Sequence, residues 1–354
     1  MKDTLYIGAY TNTAYGGSGQ AEGLYVYQMD TDTGRLELLQ TVDAGPNPSF
    51  LAALPGGRYV YAANEEAEGQ ISALRRDADG RLALLNRQPV RGAGPCYISF
   101  DPEYRWLLAA CYSSGSFSVL PIDEDNRLKL PAEVVQNEGS GPNQERQDQA
   151  HAHCIRFSPD GKFVFGVDLG IDRVGVYRLN PQTGQLIQHN PPGFDTAPGA
   201  GPRHLAYAAD GRFVYVANEL DSTVTACTWD AGAGKLEAVQ TLSTLEDDFH
   251  GENTAADIHI TPSGKVLYVS NRGEDSLAAF RVDTSTGHLE RLGSFSCGGA
   301  SPRNFAIHPQ GKFMLVANQK SGNVVVFDIA ADGTLSPAGE EAFMPAPVCV
   351  IFAR

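Results

Sequence analysis

Short apolar bursts separated by turn clusters run the length of the chain, and the turns recur at regular intervals. A turn leading into a leucine, as in Gly34-Arg35-Leu36, returns at Gly80, Asn126, Gly184, Gly234, Gly287 and Gly333, with spacings of 46, 46, 58, 50, 53 and 46 residues. That interval is the length of one four-stranded propeller blade. A second signal interleaves with it. From Arg203 to Glu219 the apolar residues alternate on both sides of Asp210-Gly211, which reads as strand, tight turn, strand. Equivalent turns fall at Gly56-Gly57, Glu103-Tyr104, Asp160-Gly161, Ser263-Gly264 and Gln310-Gly311. Each repeat therefore predicts four antiparallel strands, A (inner) to D (outer), with the Gly-x-Leu turn between C and D. Helical periodicity of useful length is absent.

The two ends complete one another. The stretch from Thr4 (TLYIGAYTN) reads as a B strand without its A strand, and that from Pro347 (PVCVIFAR) as an A strand without a blade. Pairing them closes a ring and removes two open sheet edges. The prediction is an all-β, seven-bladed β-propeller of four-stranded blades, one domain over residues 1–354.

Propeller geometry puts the D-to-A and B-to-C connections on one face, and all three long spacings fall in D-to-A connections. The longest begins at Gln136, a second runs from Pro191 to Gly201, and a third starts at Glu246. Loops on a rigid scaffold are where function concentrates. Aligning the blades gives two rings of residues near the axis of this face. At the start of the A strands stand Ser49, Cys96, His153, Arg203, Ala256, Arg303 and Val348; at the end of the B strands stand Tyr10, Glu65, Tyr112, Leu169, Glu219, Arg272 and Gln319. Just before the second ring, Asn or Asp recurs in five of seven blades (Asn64, Asp168, Asn218, Asn271, Asn318), which predicts a structural task such as bonding the B–C turn. The rings differ from blade to blade, which marks them as candidate chemistry. Three arginines, one histidine and one or two carboxylates converge there, a set that attracts an anion and holds a carboxylate or phosphate. His151, two residues before His153, is expected to face the same side. His308 reads as structural and His259, mid-strand, as a core residue, while His250 and Asp257 lie nearer the working face but outside the rings.

Composition narrows the class. The net charge of −15 argues against nucleic acid and anionic membranes as partners. No apolar run approaches the eighteen residues of a membrane span, and a secretory leader is not expected from the strand-like start. Six widely spaced cysteines without a C-x-x-C pair read as core residues of a reduced, cytoplasmic protein. No third ligand joins His151 and His153, so neither a metal nor another cofactor is expected. Oligomeric state, monomer or dimer, is open.

The motifs H-A-H (151–153), G-P-R-H (201–204), N-E-L (218–220) and S-N-R-G (270–273), with their flanking strands, closely resemble the bacterial 6-phosphogluconolactonase-type lactonase family, blade by blade. The resemblance implies a seven-bladed propeller that hydrolyses a small anionic sugar lactone. A related fungal branch lactonizes carboxymuconate through a His, two Arg and a Glu. Carried over by motif, His153, Arg203 and Glu219 are catalytic, with Arg272 the second arginine and Arg303 its rival. On this basis Glu219 or His153 is the general base, Arg203 and Arg272 bind the oxyanion, and His151, Glu65, Arg303 and Gln319 hold substrate. No G-x-S-x-G elbow is present, so a serine nucleophile is not expected. The alternatives are a lactonizing cycloisomerase using the same residues, and a non-enzymatic propeller scaffold.

Overall fold

A computed structural model describes residues 2–13 and 19–353. These form twenty-eight strands, β1 to β28 in chain order, grouped into seven antiparallel four-stranded sheets arranged as a ring, with no α-helix among the described residues. Among the described residues no helix is long and apolar enough to cross a membrane. The inner strands are β4 (Pro48–Ala53), β8 (Pro95–Phe100), β12 (Ala152–Phe157), β16 (Pro202–Tyr207), β20 (Thr254–Ile260), β24 (Pro302–Ile307) and β28 (Pro347–Phe352). The second strands of the blades are β1 (Lys2–Ala9), β5 (Tyr59–Asn64), β9 (Trp106–Cys111), β13 (Val164–Asp168), β17 (Phe213–Asn218), β21 (Val266–Arg272) and β25 (Phe313–Asn318).

Position within the blade dictates the sequence of each strand. Second strands are covered on both faces by the neighbouring blades, so every residue of β9, β17 and β25 is buried and their pattern is a continuous apolar run. Outermost strands meet water on one side, and in β19 (Lys235–Ser243) only Leu236 is fully buried. The blades interlock through large side chains: Phe165 meets Trp229 of the next blade edge-on at 4.8 Å. The C–D turn explains the repeat that first appears in the sequence. Its central residue has positive φ in all seven blades, 66–91° at the six glycines and 60° at Asn126. Asparagine is the side chain that tolerates this conformation best, so Asn126 belongs to the series despite breaking the glycine pattern.

Ring closure is as predicted: β28 pairs antiparallel with β1, Leu5 opposite Phe352 and Ile7 opposite Val350. Two side-chain bonds extend the seam, from Leu51 N to Cys349 Sγ at 3.3 Å and between His308 Nε2 and Asp3 Oδ2 at 2.9 Å. One expectation is corrected. The Pro191–Gly201 insertion is not wholly connection, because the fourth strand of its blade, β15 (Leu186–Asp195), runs through both prolines. It is an edge strand with a register shift opposite Gly175/Tyr177, where prolines cost no ladder bond.

Truncation after Ala346, which removes β28, is expected to abolish cooperative folding, because β1 would become an exposed apolar edge. Thermal unfolding followed with light scattering checks this; a truncated chain melting within a few degrees of the full one would show closure to be dispensable.

Candidate active site

The first ring is built by a defect repeated seven times. Every A–B strand pair shifts register at its upper end, leaving out Ser49, Cys96, His153, Arg203 and Arg303 singly, Ala256 with Asp257, and Val348 in the closing blade. Such a bulge re-aims the extra side chain out of the ladder, here towards the axis. In five blades the bulged residue follows a proline, and the residue before that proline has positive φ (Asn47, Gly94, Gly201, Ser301, Ala346). This X-Pro-ring pattern is a second sequence signal for the ring, independent of the turn repeats.

The second ring is pinned to the first by backbone. The amides of Tyr10, Glu65, Tyr112, Leu169, Glu219 and Gln319 donate to the carbonyls of Ala346, Asn47, Gly94, His151, Gly201 and Ser301, each two residues before a first-ring position, at 2.7–3.1 Å. Asn218 Nδ2 donates to Thr223 and Thr225 of the following strand, but the other four recurring Asn/Asp residues serve the chain arriving at the A strand. Asn64 Nδ2 donates to Ala44 O and Pro46 O, Asn271 Nδ2 to Thr244 O and Asn318 Nδ2 to Cys297 O, while Asp168 accepts from His151 N.

The rings enclose a cavity of about 330 Å³, walled by Tyr10, Glu65, Tyr112, Ser113, Arg146, His153, Glu219, Arg272 and Arg303. Glu219 is its electrostatic centre. Its Oε2 lies 2.9 Å from Arg203 Nε and 3.0 Å from Arg272 Nη2, and its Oε1 lies 2.5 Å from Arg146 Nη2. The N–H of Arg203 Nε is off line for a hydrogen bond, so that contact is an ion pair only. Burial opposes ionisation of Glu219, but Arg272, Arg203 and Arg146 outweigh it and hold the carboxyl well below the usual range. Arg272, lowered to about 10 by burial against the opposing pull of Glu219, remains a cation at neutral pH. Arg303 differs from these. Its guanidinium lies over the Tyr10 ring, 5.4 Å from the centroid, and among the described residues no carboxylate comes within ion-pair distance of it. Tyr10 OH donates instead to Glu65 Oε2 at 2.9 Å.

His153 is buried, with Nδ1 3.7 Å from Cys96 Sγ. Burial, reinforced by Arg203, His204 and Arg303, pushes its pKa well below the ordinary value, so the ring is neutral at pH 7. Burial drives Cys96 the other way, well above the ordinary thiol range, so no thiolate is available there at neutral pH.

Three residues sit elsewhere than expected. Arg203 lies below the cavity floor, lining a separate void of about 10 Å³ with Ser49, Cys96 and His204, and its Nη1 donates to Ala256 O at 2.6 Å. His151 stacks on Tyr112 at 4.5 Å, with its ring nitrogens occupied by Tyr112 O and Asp148 Oδ1, and does not line the cavity, because the bulge turns only His153 inward. Gln319 is half-buried outside the lining. Conversely, Arg146 arrives from the longest insertion, at a position that no ring alignment marks. A second buried network had no signal in the rings. Asp257 accepts from His204 Nδ1 at 2.8 Å, from His259 Nε2 at 3.0 Å and from Asn304 Nδ2 at 2.5 Å. His259 is 42% exposed at its side chain, so it is not a core residue. Among the described residues, no three His, Cys, Asp or Glu side chains converge as metal ligands.

The family model described as lactonase, 7-bladed beta-propeller matches residues 4–352. The chain belongs to the seven-bladed β-propeller lactonase family. Among relatives of this lactonase is a 6-phosphogluconolactonase of Bacillus subtilis, 35% identical over 351 residues, covering 98% of this chain and 97% of the relative. Another is a 6-phosphogluconolactonase of Formosa agariphila, 35% identical, covering 91% of each chain. Among solved structures, the periplasmic gluconolactonase PpgL of Pseudomonas aeruginosa superposes with a TM-score of 0.92 at 32% identity, covering 99% of both chains. This lactonase is a lactone-hydrolysing enzyme, and the scaffold alternative falls away.

The buried histidines make stability pH-dependent in a definite direction. His204 is pushed down to about 4 by burial and by Arg203, whereas an unfolded histidine titrates near 6.5. Between those values the unfolded chain binds the extra proton, so stability falls as pH drops from about 6.5, by about 1.4 kcal/mol per pH unit for each such histidine. Glu219 and Asp257, both held low, add a contribution present above the ordinary carboxylate range and lost below it. Urea unfolding at pH 7 and pH 5 is expected to show this loss, and the slope is expected to flatten in His204→Gln. Equal stability at both pH values would contradict the buried neutral assignment.

Proposed function

We propose that this lactonase hydrolyses 6-phosphogluconolactone to 6-phosphogluconate, a step of the pentose phosphate pathway, in the cavity between the two rings. The observation that carries the reading is a neutral histidine in a cavity whose cations outnumber its carboxylates, with one of them, Arg303, left without an anionic partner among the described residues. Names borne by the Bacillus subtilis and Formosa agariphila relatives support a phosphorylated substrate. Six buried free cysteines are in keeping with the reducing cytoplasm, where such a substrate is made.

In this mechanism His153 is the general base. It is uncharged at working pH and lines the cavity, whereas both carboxylate oxygens of Glu219 are already held by three guanidinium groups. His153 takes a proton from water through Nε2, the ring nitrogen not turned to Cys96, as the water oxygen attacks the lactone carbonyl. Arg272 stabilises the oxyanion that forms, as preorganised positive charge does in acyl transfer. Collapse of the tetrahedral intermediate breaks the bond to the ring oxygen, which recovers the proton from His153. Arg303 holds the phosphate. Arg203 acts from beneath the floor, fixing Glu219 and through it Arg272.

The test is lactone opening by EDTA-treated protein above the spontaneous rate, with the phosphorylated and unphosphorylated lactones side by side. Arg272→Ala is expected to lower kcat about 10²–10³-fold, the cost of an oxyanion donor, and His153→Gln about 10²–10⁴-fold, the cost of a general base. Arg303→Ala is expected to raise KM for the phosphorylated lactone alone. If wild-type protein accelerates neither lactone, the substrate assignment falls and carboxymuconate-type lactones become the next to assay.

A further inference from the structure

Arg146 has no part in the mechanism above, yet it is the only cavity side chain supplied by a D-to-A insertion. Its loop, between β11 (Glu133–Gln136) and β12, is firmly based. Gln147, fully buried, donates to Leu169 O at 2.8 Å and Asp172 Oδ1 at 2.7 Å, and Gly141 N donates to Gln147 O at 2.9 Å. From this base the Arg146 guanidinium reaches into the cavity with 37% of its side chain exposed, against 14% for Arg272 and 3% for Arg203.

The three arginines divide Glu219 unequally. Arg203 and Arg272 share Oε2, and each carries a second bond to a backbone carbonyl, Ala256 O at 2.6 Å and Ala255 O at 3.1 Å. Arg146 alone holds Oε1, and its other contact is a long bond to Tyr112 OH at 3.3 Å. It is thus the guanidinium that moves with the least disruption. Once it moves, Glu219 keeps two cations at Oε2 and stays ionised, while Oε1 is left as an unoccupied acceptor on the cavity wall.

We propose that Arg146 is a specificity-determining residue shared between Glu219 and the anionic substituent of the substrate. The proposal rests on the reading that the cavity opens a phosphorylated lactone. A dianion beside Arg303 requires a second cation, and Arg146 supplies it by leaving Glu219 Oε1. The freed oxygen accepts a hydrogen bond from the attacking water and orients it, with His153 still taking the proton. Binding of the remote phosphate is thereby spent on turnover as well as on affinity. An unphosphorylated lactone leaves Arg146 on Glu219 and the water unoriented.

Steady-state kinetics of wild type, Arg146→Ala and Arg146→Gln on 6-phosphogluconolactone and unphosphorylated gluconolactone tests this, with and without added inorganic phosphate. The kcat advantage of the phosphorylated lactone is expected to shrink about tenfold or more in both variants. Inorganic phosphate is expected to raise turnover of the unphosphorylated lactone by wild type and not by the variants. Variants that keep the wild-type kcat ratio, or lose both activities equally, overturn the shared-arginine proposal and leave the substrate reading standing. Wild type inactive on both lactones overturns the substrate reading itself, and this proposal with it. Thermal unfolding of the variants, expected within a few degrees of wild type for so exposed a side chain, excludes misfolding as the cause.

Discussion

Each inner strand carries more residues at its upper end than its partner can pair, and the chemistry of the molecule follows from that mismatch. In a regular ladder, side chains alternate between the two faces of the blade and are buried against neighbouring blades. A bulge frees one side chain from this alternation and directs it to the axis. Seven bulges, held in register with the second ring by six backbone bonds, bring residues from distant parts of the chain to one small cavity. The blades themselves need no polar residue there. Val348 occupies a ring position with the same single-residue bulge as its polar counterparts, so the side chain there is free to vary independently of the fold.

Buried charges form a second layer of order around the bulges. Arg203 and Glu219 each have side chains only 3% exposed, a placement that is tolerable because they face one another. With Arg272 completing the group, the floor of the cavity is a fixed array of charge that does not have to reorganise when charge develops above it. The Asp257 network with His204, His259 and Asn304 ties three blades together, and His204 and Asn304 line the same small void as Arg203.

Much of this was legible in the sequence, for identifiable reasons. The seven turns were visible because a left-handed backbone position restricts the residue to Gly or Asn, and the closing strand because an unpaired apolar run at each end demands a partner. Ring positions such as His153, Glu219, Arg272 and Arg303 followed from aligning the blades. Depth along the axis did not follow, because a bulge's direction depends on its dihedral angles; hence Arg203 lies under the floor and His151 stacks on Tyr112. Arg146 was hidden for a different reason. An insertion has no counterpart in the other blades, so an argument built on comparing repeats has nothing to compare it with.

The closing strand sets the order in which the molecule can assemble. Residues 347–352 pair with residues more than three hundred positions earlier in the chain. The contacts that seal the ring span nearly the whole chain, as between Leu51 and Cys349, and contacts of such sequence separation form slowly. Individual blades can assemble during synthesis, but the cavity depends on inner strands from the whole circle. A nascent chain therefore carries open edges until β28 has been made, and the enzyme gains its active shape only once that strand is in place.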